Sequence, residues 1–91
     1  APGARDDAPY LATRGHRIAF GIRRRAPVTI SLFDVTGRLV ATPVDEVRAA
    51  GDHETLWDGR AGNGRPAAAG VYFVRLATPG FTASSRIVRI R

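Results

Sequence analysis

Apolar and polar residues alternate along most of the chain, which is the period-two pattern of half-buried β-strands. The alternation starts at Arg17 and continues between turn signals to the end of the sequence. The first two predicted strands share branched or aromatic side chains on one face, namely Ile18, Phe20, Ile22, Val28, Ile30 and Leu32. No segment shows helical periodicity of useful length. We therefore predict an all-β domain.

A turn signal follows the second predicted strand. Asp34 can accept backbone N–H groups and Gly37 can supply a positive φ, so residues 38–41 are predicted to return as the second strand of a hairpin. Pro43 lacks an N–H donor, which places it on a sheet edge or at a strand end. Residues 45–50 could form one helical turn before the next short strand at 52–57.

The C-terminal third predicts the most buried strand. Residues 71–77 begin with apolar residues on both faces, which indicates a central strand, with Tyr72, Val74 and Leu76 on one side. The last predicted strand, 81–90, has Val88 and Ile90 on its inner face. Strands separated by turn signals about every 8–12 residues are typical of a β-sandwich. We predict about seven antiparallel strands.

The first 14 residues are rich in Ala, Pro, Asp and Arg and predict a linker or extended arm, with the sandwich domain at 15–91. An arm of this kind can also add to the open sheet edge of a neighbouring molecule by backbone pairing. In that alternative Tyr10 and Leu11 are the apolar anchors of assembly. Both interpretations of the arm stay open at this stage.

Trp57 is the one tryptophan of the sequence. An exposed indole could stack on a sugar. A buried indole would anchor the core of the sandwich and pair its N–H group with a carbonyl oxygen. The second interpretation is favoured, because no second aromatic platform is visible in the sequence.

The glycine-rich loop after Trp57 suggests a cation site. A calcium loop needs oxygen ligands at alternate positions, and after Asp58 those positions hold Arg60 and Gly62, which offer no carboxylate. The loop is not a phosphate cradle either, since no helix follows it. We predict that Asp58 accepts backbone N–H bonds in a turn and that Gly59 and Gly64 take positive φ.

Catalytic residues are not expected. His16 and His53 are not accompanied by a recognisable nucleophile motif, and Ser31, Ser84 and Ser85 fall within predicted strands. Two histidines without further ligands at suitable spacing do not make a zinc site. The expectation is a protein that is not an enzyme and has no metal or cofactor.

The 91 residues carry a formal net charge of +6, with 14 basic residues that are all Arg and no Cys. Because the one arginine run, 23–25, falls in a predicted loop and the other arginines are scattered, we expect solvated strand faces and no nucleic-acid partner. The absence of Cys excludes disulfides and thiolate metal sites. No apolar run is long enough for a transmembrane segment, and no signal peptide is expected.

Three motifs in order resemble one bacterial immunoglobulin-like family: FDVTGRLV at 33–40, GDHETLWDGR at 51–60 and GVYFVRL at 70–76, followed by the basic strand RIVRIR at 86–91. This family includes the immunoglobulin-like domain of flagellar hook-capping proteins and C-terminal sorting domains of the type IX secretion system. The resemblance covers about residues 17–91 and implies an immunoglobulin-like β-sandwich. The residues expected to anchor and turn this fold are Asp34, Gly37, Trp57, Asp58, Gly59, Gly64, Gly70 and Tyr72.

The resemblance also implies a function. It suggests a non-catalytic C-terminal module of an exported bacterial protein, extracellular or at the cell surface, which acts in secretion sorting, attachment or assembly. Its partners would be secretion machinery or like subunits. The candidate sorting strand consists of Arg86, Ile87, Val88, Arg89, Ile90 and Arg91. The alternatives are a self-assembling subunit of an extracellular filament or flagellar-type assembly, which would form a homo-oligomer through sheet edges, and a carbohydrate-binding module.

Overall fold

The computed structural model describes residues 8–90, which form seven β-strands and no helix. The strands are β1 (Tyr10–Arg14), β2 (Arg17–Ile22), β3 (Ala26–Phe33), β4 (Leu39–Arg48), β5 (Gly51–Leu56), β6 (Gly70–Thr78) and β7 (Phe81–Arg89). The prediction of an all-β fold with about seven antiparallel strands is confirmed.

The strands divide into two sheets in which all neighbours are antiparallel. One sheet has three strands in the order β1-β2-β5, and the other has four in the order β4-β3-β6-β7. Strand β6 therefore lies between β3 and β7, as its apolar residues on both faces predicted. Strand β4 lies at an edge.

The core lies between the inner faces of the two sheets. Its fully buried members come from alternate positions of β2, β3, β6 and β7: Ile18, Phe20, Val28, Ile30, Leu32, Val74, Leu76 and Ile87. Burial of each large apolar side chain contributes about 1.5–3 kcal/mol, so this layer supplies most of the stability. The inward positions predicted for the first two strands are all buried.

The sandwich begins earlier than predicted. Tyr10–Arg14 form β1, which pairs with β2 through partners such as Leu11 and Phe20, so the linker prediction for 1–14 is wrong for these residues. The sequence signal is weak because Leu11 is the single large apolar residue on the inner side of β1. Residues 1–7 lie outside the described part of the chain.

Strand β4 includes most of the segment that we predicted as a helical turn, so that prediction is wrong. Pro43 lies within β4, which is an edge strand, so the prediction that Pro43 lies on a sheet edge is confirmed. The pairing shifts from Ile30–Val44 to Leu32–Ala41, which places two residues of β4 opposite the single residue between them on β3. A β-bulge of this kind on an edge strand accommodates a proline without an N–H donor.

The prediction that Val88 and Ile90 lie on the inner face of β7 is wrong. Ile87 is 1% exposed, whereas Val88 is 54% and Ile90 is 78% exposed. The reason is the register of the sheet, since Ile87 lies opposite the buried Tyr72 of β6. Cross-strand partners share a face, so the orientation of β6 determines that of β7.

Candidate functional site

Trp57 lies directly after β5 and is 3% exposed. Its indole Nε1–H donates to the carbonyl oxygen of Arg60 at 2.9 Å. The ring stacks on His16 and meets the edge of Tyr72, both at centroid distances of 5.0 Å. A ring enclosed in this way has no free face on which a sugar could stack. The structure therefore does not support the carbohydrate-binding alternative, which depends on an exposed Trp57.

The loop after Trp57 is held by its own backbone and by three polar side chains, of which Asn63 accepts the Arg65 N–H at 2.9 Å. The Oδ1 atom of Asp58 accepts the Arg60 N–H at 2.9 Å, and Nη1 of Arg60 donates to the carbonyl of Gly64 at 2.8 Å. Gly59 and Gly64 have φ values of 80° and 86°. Arg60 and Pro66 form an isolated bridge that closes the loop on itself. The arrangement uses Asp58 as a turn acceptor.

Arg89 connects this loop to the last strand. Its Nε donates to the carbonyl of Ala67 at 2.9 Å, and its guanidinium lies against Gly59, where an added Cβ would overlap it. Gly59 is buried. The sequence offered no signal for this contact, because Arg89 looked like one of several exposed arginines of the candidate sorting strand.

Tyr72 completes the same end of the sandwich. It is 6% exposed, and its hydroxyl donates to the carbonyl of Ala68 at 2.6 Å. Gly70, which begins β6, has a φ of 144°. The structure thus brings Trp57, the glycine loop and Tyr72 together at one end of the domain.

The turn between β3 and β4 lies at this end too. The carboxylate of Asp34 accepts the backbone N–H groups of Thr36 at 2.9 Å and of Arg38 at 3.1 Å, together with the Thr36 hydroxyl. The Thr36 hydroxyl bond, followed by these N–H bonds and the Arg38 charge, holds the pKa of Asp34 below its ordinary 3.8. Gly37 has a φ of 88°, as the turn requires.

Both histidines contact backbone carbonyls. His16 places Nδ1 3.2 Å from the carbonyl oxygen of Trp57, and His53 places Nε2 2.7 Å from that of Ala49. The His53 ring also stacks on Phe20 at 5.2 Å. Within residues 8–90 no group of three or more His, Cys, Asp or Glu side chains is arranged to hold a metal ion.

Tyr10 and Leu11 are strand residues of this domain. The Tyr10 ring covers Gly21, and its hydroxyl donates to Oδ1 of Asp52 at 3.0 Å. Burial, and then the hydrogen bond and charge of Asp52, raise the pKa of Tyr10 above 10.0. Leu11 packs against the core. The prediction that these two residues anchor an extended arm in a neighbouring molecule is therefore wrong for this conformation.

The candidate sorting strand divides between the two faces of β7. Ile87 and Arg89 are engaged inside the domain, whereas Arg86, Val88 and Ile90 are exposed. Arg91 lies outside the described residues. Any partner that binds the outer face of the folded strand therefore contacts Arg86 and Val88.

Sequence reasoning missed one arrangement on the outer face of the four-stranded sheet. Leu39, Phe33, Phe73 and Arg86 are successive cross-strand partners on β4, β3, β6 and β7. The signal was present in Phe33 and Phe73, which occupy the positions of their strands that alternate with buried ones. Their alignment depends on the register between strands that are distant in sequence.

The described part of the chain contains no helix of the length and apolar character needed to cross a membrane. Residues 9–79 match the family described as the FlgD Ig-like domain. No curated protein matches the chain.

Two solved structures from Porphyromonas gingivalis resemble the fold. PorZ, an essential bacterial surface component of the type-IX secretion system, is 22% identical with a TM-score of 0.60, over 97% of this chain and 12% of that chain. Dimeric latent PorU is 20% identical with a TM-score of 0.63, over 88% of this chain and 9% of that chain. The chain therefore corresponds to a small part of the length of these proteins, and the likeness is one of fold.

The two-sheet topology, the hairpin turn and the Trp57 loop accompany a family match that covers most of the sequence. The chain belongs to the FlgD Ig-like domain family.

Proposed function

We propose that this domain is a non-catalytic module of an exported bacterial protein, extracellular or at the cell surface. Its role is to contact other proteins in secretion sorting, surface attachment or assembly. Its partners are components of a secretion machinery or other subunits of a surface structure.

The observation that carries the proposal is the fit of the whole domain to a small part of a longer surface protein. The similarity to PorZ covers 97% of this chain and 12% of PorZ, which is described as a surface component of the type-IX secretion system. A domain that recurs as one unit within a longer chain suits an appended module. Membership of the FlgD Ig-like domain family supports the same interpretation.

The geometry of the polar residues supports a non-catalytic role. His16 and His53 are bonded to backbone carbonyls, Asp34 and Asp58 accept turn N–H groups, and Arg89 holds the glycine loop. These side chains stabilise the fold. Contact with partners is then left to the outer faces and edges of the sheets.

A reporter fusion tests the proposal. A fluorescent protein with a secretory leader is joined to residues 1–91 and expressed in a bacterium that has a type IX secretion system. We expect the reporter to reach the cell surface or the medium, where added protease removes its signal. The matched control carries an unrelated β-sandwich domain of similar size. The proposal would be contradicted by two results together. Both fusions would be retained inside the cell to the same extent, and the purified domain would capture no protein from the cell surface.

A further inference from the structure

The outer face of the four-stranded sheet carries an exposed apolar patch near the end that holds the Asp34 turn. The outer patch, as we name it, consists of Phe33, Leu39, Val71, Phe73 and Val88. Leu39 is 56%, Phe73 is 44% and Val88 is 54% exposed, and the other two side chains are half-buried. Exposed apolar side chains scattered singly need no explanation, but a contiguous group on one face indicates a binding surface.

The register makes this group contiguous. Phe33 lies opposite Leu39 on one side and opposite Phe73 on the other, and Val71 lies opposite Val88 in the next row. Cross-strand partners have Cβ atoms about 4.5–5.5 Å apart, which is contact distance for side chains of this size. The patch therefore spans all four strands.

Two arginines border the patch. Arg86 lies directly opposite Phe73, and Arg75 follows Phe73 on the same face of β6. Since Arg75 lies opposite Ser84, the two arginines are diagonal cross-strand neighbours, whose Cα atoms typically lie about 7–8 Å apart. The two guanidinium groups carry like charges on the same face of the sheet and repel each other, and a carboxylate placed between them would relieve that repulsion.

The domain does not supply such a carboxylate. Within residues 8–90 the ion pairs are Arg17–Glu54 and Arg48–Glu46, which involve neither of these arginines. Asp45 shares the face, but it lies on the far edge strand β4, opposite Thr29. Arg75 and Arg86 are exposed and keep their donors available to a partner.

We infer that the outer patch docks an acidic segment of a partner protein that also carries an aromatic or large aliphatic side chain. Carboxylates of the segment pair with Arg75 and Arg86, while its apolar side chain packs on Phe73. Aromatic residues and arginine are the residue types enriched at the centre of protein interfaces. This inference rests on the proposed function, because it names the surface through which the module contacts other proteins.

Charge makes a second copy of this domain the poorer occupant. In a twofold pair the same patch lies on both sides, so Arg75 and Arg86 would approach the arginines of the other copy. Juxtaposed like charges act against such a pair, whereas an acidic partner is attracted.

The test uses a random copolymer of glutamate and tyrosine as the probe and the folded 91-residue chain labelled with ¹⁵N. We expect the probe to shift the amide resonances of Phe73, Arg75, Arg86 and Val88, and to leave those of Ala12 and Ala19 on the outer face of the other sheet unchanged. Polyglutamate and a lysine–tyrosine copolymer are the control probes, and both are expected to bind at least tenfold more weakly.

Charge reversal provides the matched pair of variants. Arg75→Glu with Arg86→Glu is expected to weaken binding of the glutamate–tyrosine copolymer at least tenfold. Arg23→Glu with Arg24→Glu changes the net charge by the same amount in the loop between β2 and β3, and is expected to change affinity less than twofold. Phe73→Ser is expected to weaken binding while the amide dispersion shows that the fold is retained.

Equal loss of affinity in the two charge-reversal variants would overturn the inference, because binding would then follow net charge alone. The inference would also be overturned if the copolymer shifted amide resonances of the unaltered chain only on another surface. This result does not depend on whether the variants fold. Sedimentation equilibrium could also show that the chain forms a dimer and that Phe73→Ser abolishes this dimer. The occupant of the outer patch would then be a second copy of the chain and not an acidic partner. The reporter fusion is a separate measurement, so export can fail while this binding is present, and the reverse.

Discussion

The guanidinium group of Arg89 lies against Gly59 and occupies the space that a Cβ at Gly59 would need. This contact ties the last strand to the loop after Trp57, which is also held by local hydrogen bonds and by the bond from the Gly62 N–H to the Val40 carbonyl of β4. Because Gly59 also has a φ of 80°, two independent constraints favour glycine at this position.

Alanine substitution at Gly59 and at Gly64 should separate the effect of the positive φ from that of the Arg89 contact, because Gly64 has the positive φ alone. Gly64→Ala meets open space, so we expect it to cost only the left-handed backbone strain, about 1–2 kcal/mol. Gly59→Ala should exceed that by about 0.5–1.5 kcal/mol, because the flexible Arg89 side chain can move aside but then loses its hydrogen bond to the Ala67 carbonyl. Urea unfolding of both variants measures the difference, and combination with Arg89→Ala should reduce it. Equal losses for the two glycines would show that the Arg89 contact has no energetic effect.

Trp57 should be required for folding. Trp57→Ala leaves a large cavity between His16 and Tyr72, and we expect a loss of about 3–5 kcal/mol of unfolding free energy. Trp57→Phe keeps most of the packing but leaves the Arg60 carbonyl without its donor, for an expected loss of about 1–3 kcal/mol. Thermal unfolding followed by circular dichroism ranks the variants. A fully stable Trp57→Ala protein would refute the core role of the indole.

Truncation of two adjacent residues of β7 should change stability by very different amounts. Ile87→Ala removes a side chain that is 1% exposed, with an expected loss of about 2–5 kcal/mol. Val88→Ala alters a side chain that is 54% exposed and should change stability by about 0.5 kcal/mol or less. Urea midpoints compare the two directly. The opposite order would mean that β7 pairs with β6 in a register shifted by one residue.

Alkaline pH should weaken the attachment of β1. The pKa of Tyr10 is raised above 10.0 in the folded chain, so its neutral form is favoured by folding. Its contribution is present below the unfolded value of 10.0 and is lost as the pH rises through the folded pKa. We expect the urea midpoint to fall above about pH 10, and to fall less steeply in Tyr10→Phe. Identical pH profiles would exclude a role for the Tyr10–Asp52 bond.

Acid should weaken the β3–β4 turn. The pKa of Asp34 is lowered below 3.8, so its contribution is present above that value and is lost as the pH falls through the folded pKa. The urea midpoint should therefore decrease on acidification. Asp34→Asn keeps an oxygen acceptor that does not titrate, and this variant should show a shallower decrease. A variant with the same acid sensitivity as the unaltered chain would indicate that other carboxylates are responsible.

The sequence allowed accurate prediction where local pattern and turn chemistry agree. The inner faces of β2, β3 and β6 follow from alternation, and the Asp34–Gly37 turn follows from residues that bond to their own backbone. Prediction failed at β1, at the bulged β4 and at the inner face of β7. In each of these the deciding interaction is pairing with another strand, which no window of neighbouring residues contains.

The sequence alone therefore determined the fold class, the family resemblance and the identity of Trp57 and Tyr72 as anchors, because burial of alternating side chains is a local property of a strand. Only the tertiary structure decided on which face of β7 Arg86 and Arg89 lie and what each of them contacts. Register turns Arg89 inward against Gly59 and places Arg86 outward beside Phe73, since each position of β7 takes its face from the strand with which it pairs. The same pairing aligns Leu39, Phe33 and Phe73 across strands that are far apart in the chain.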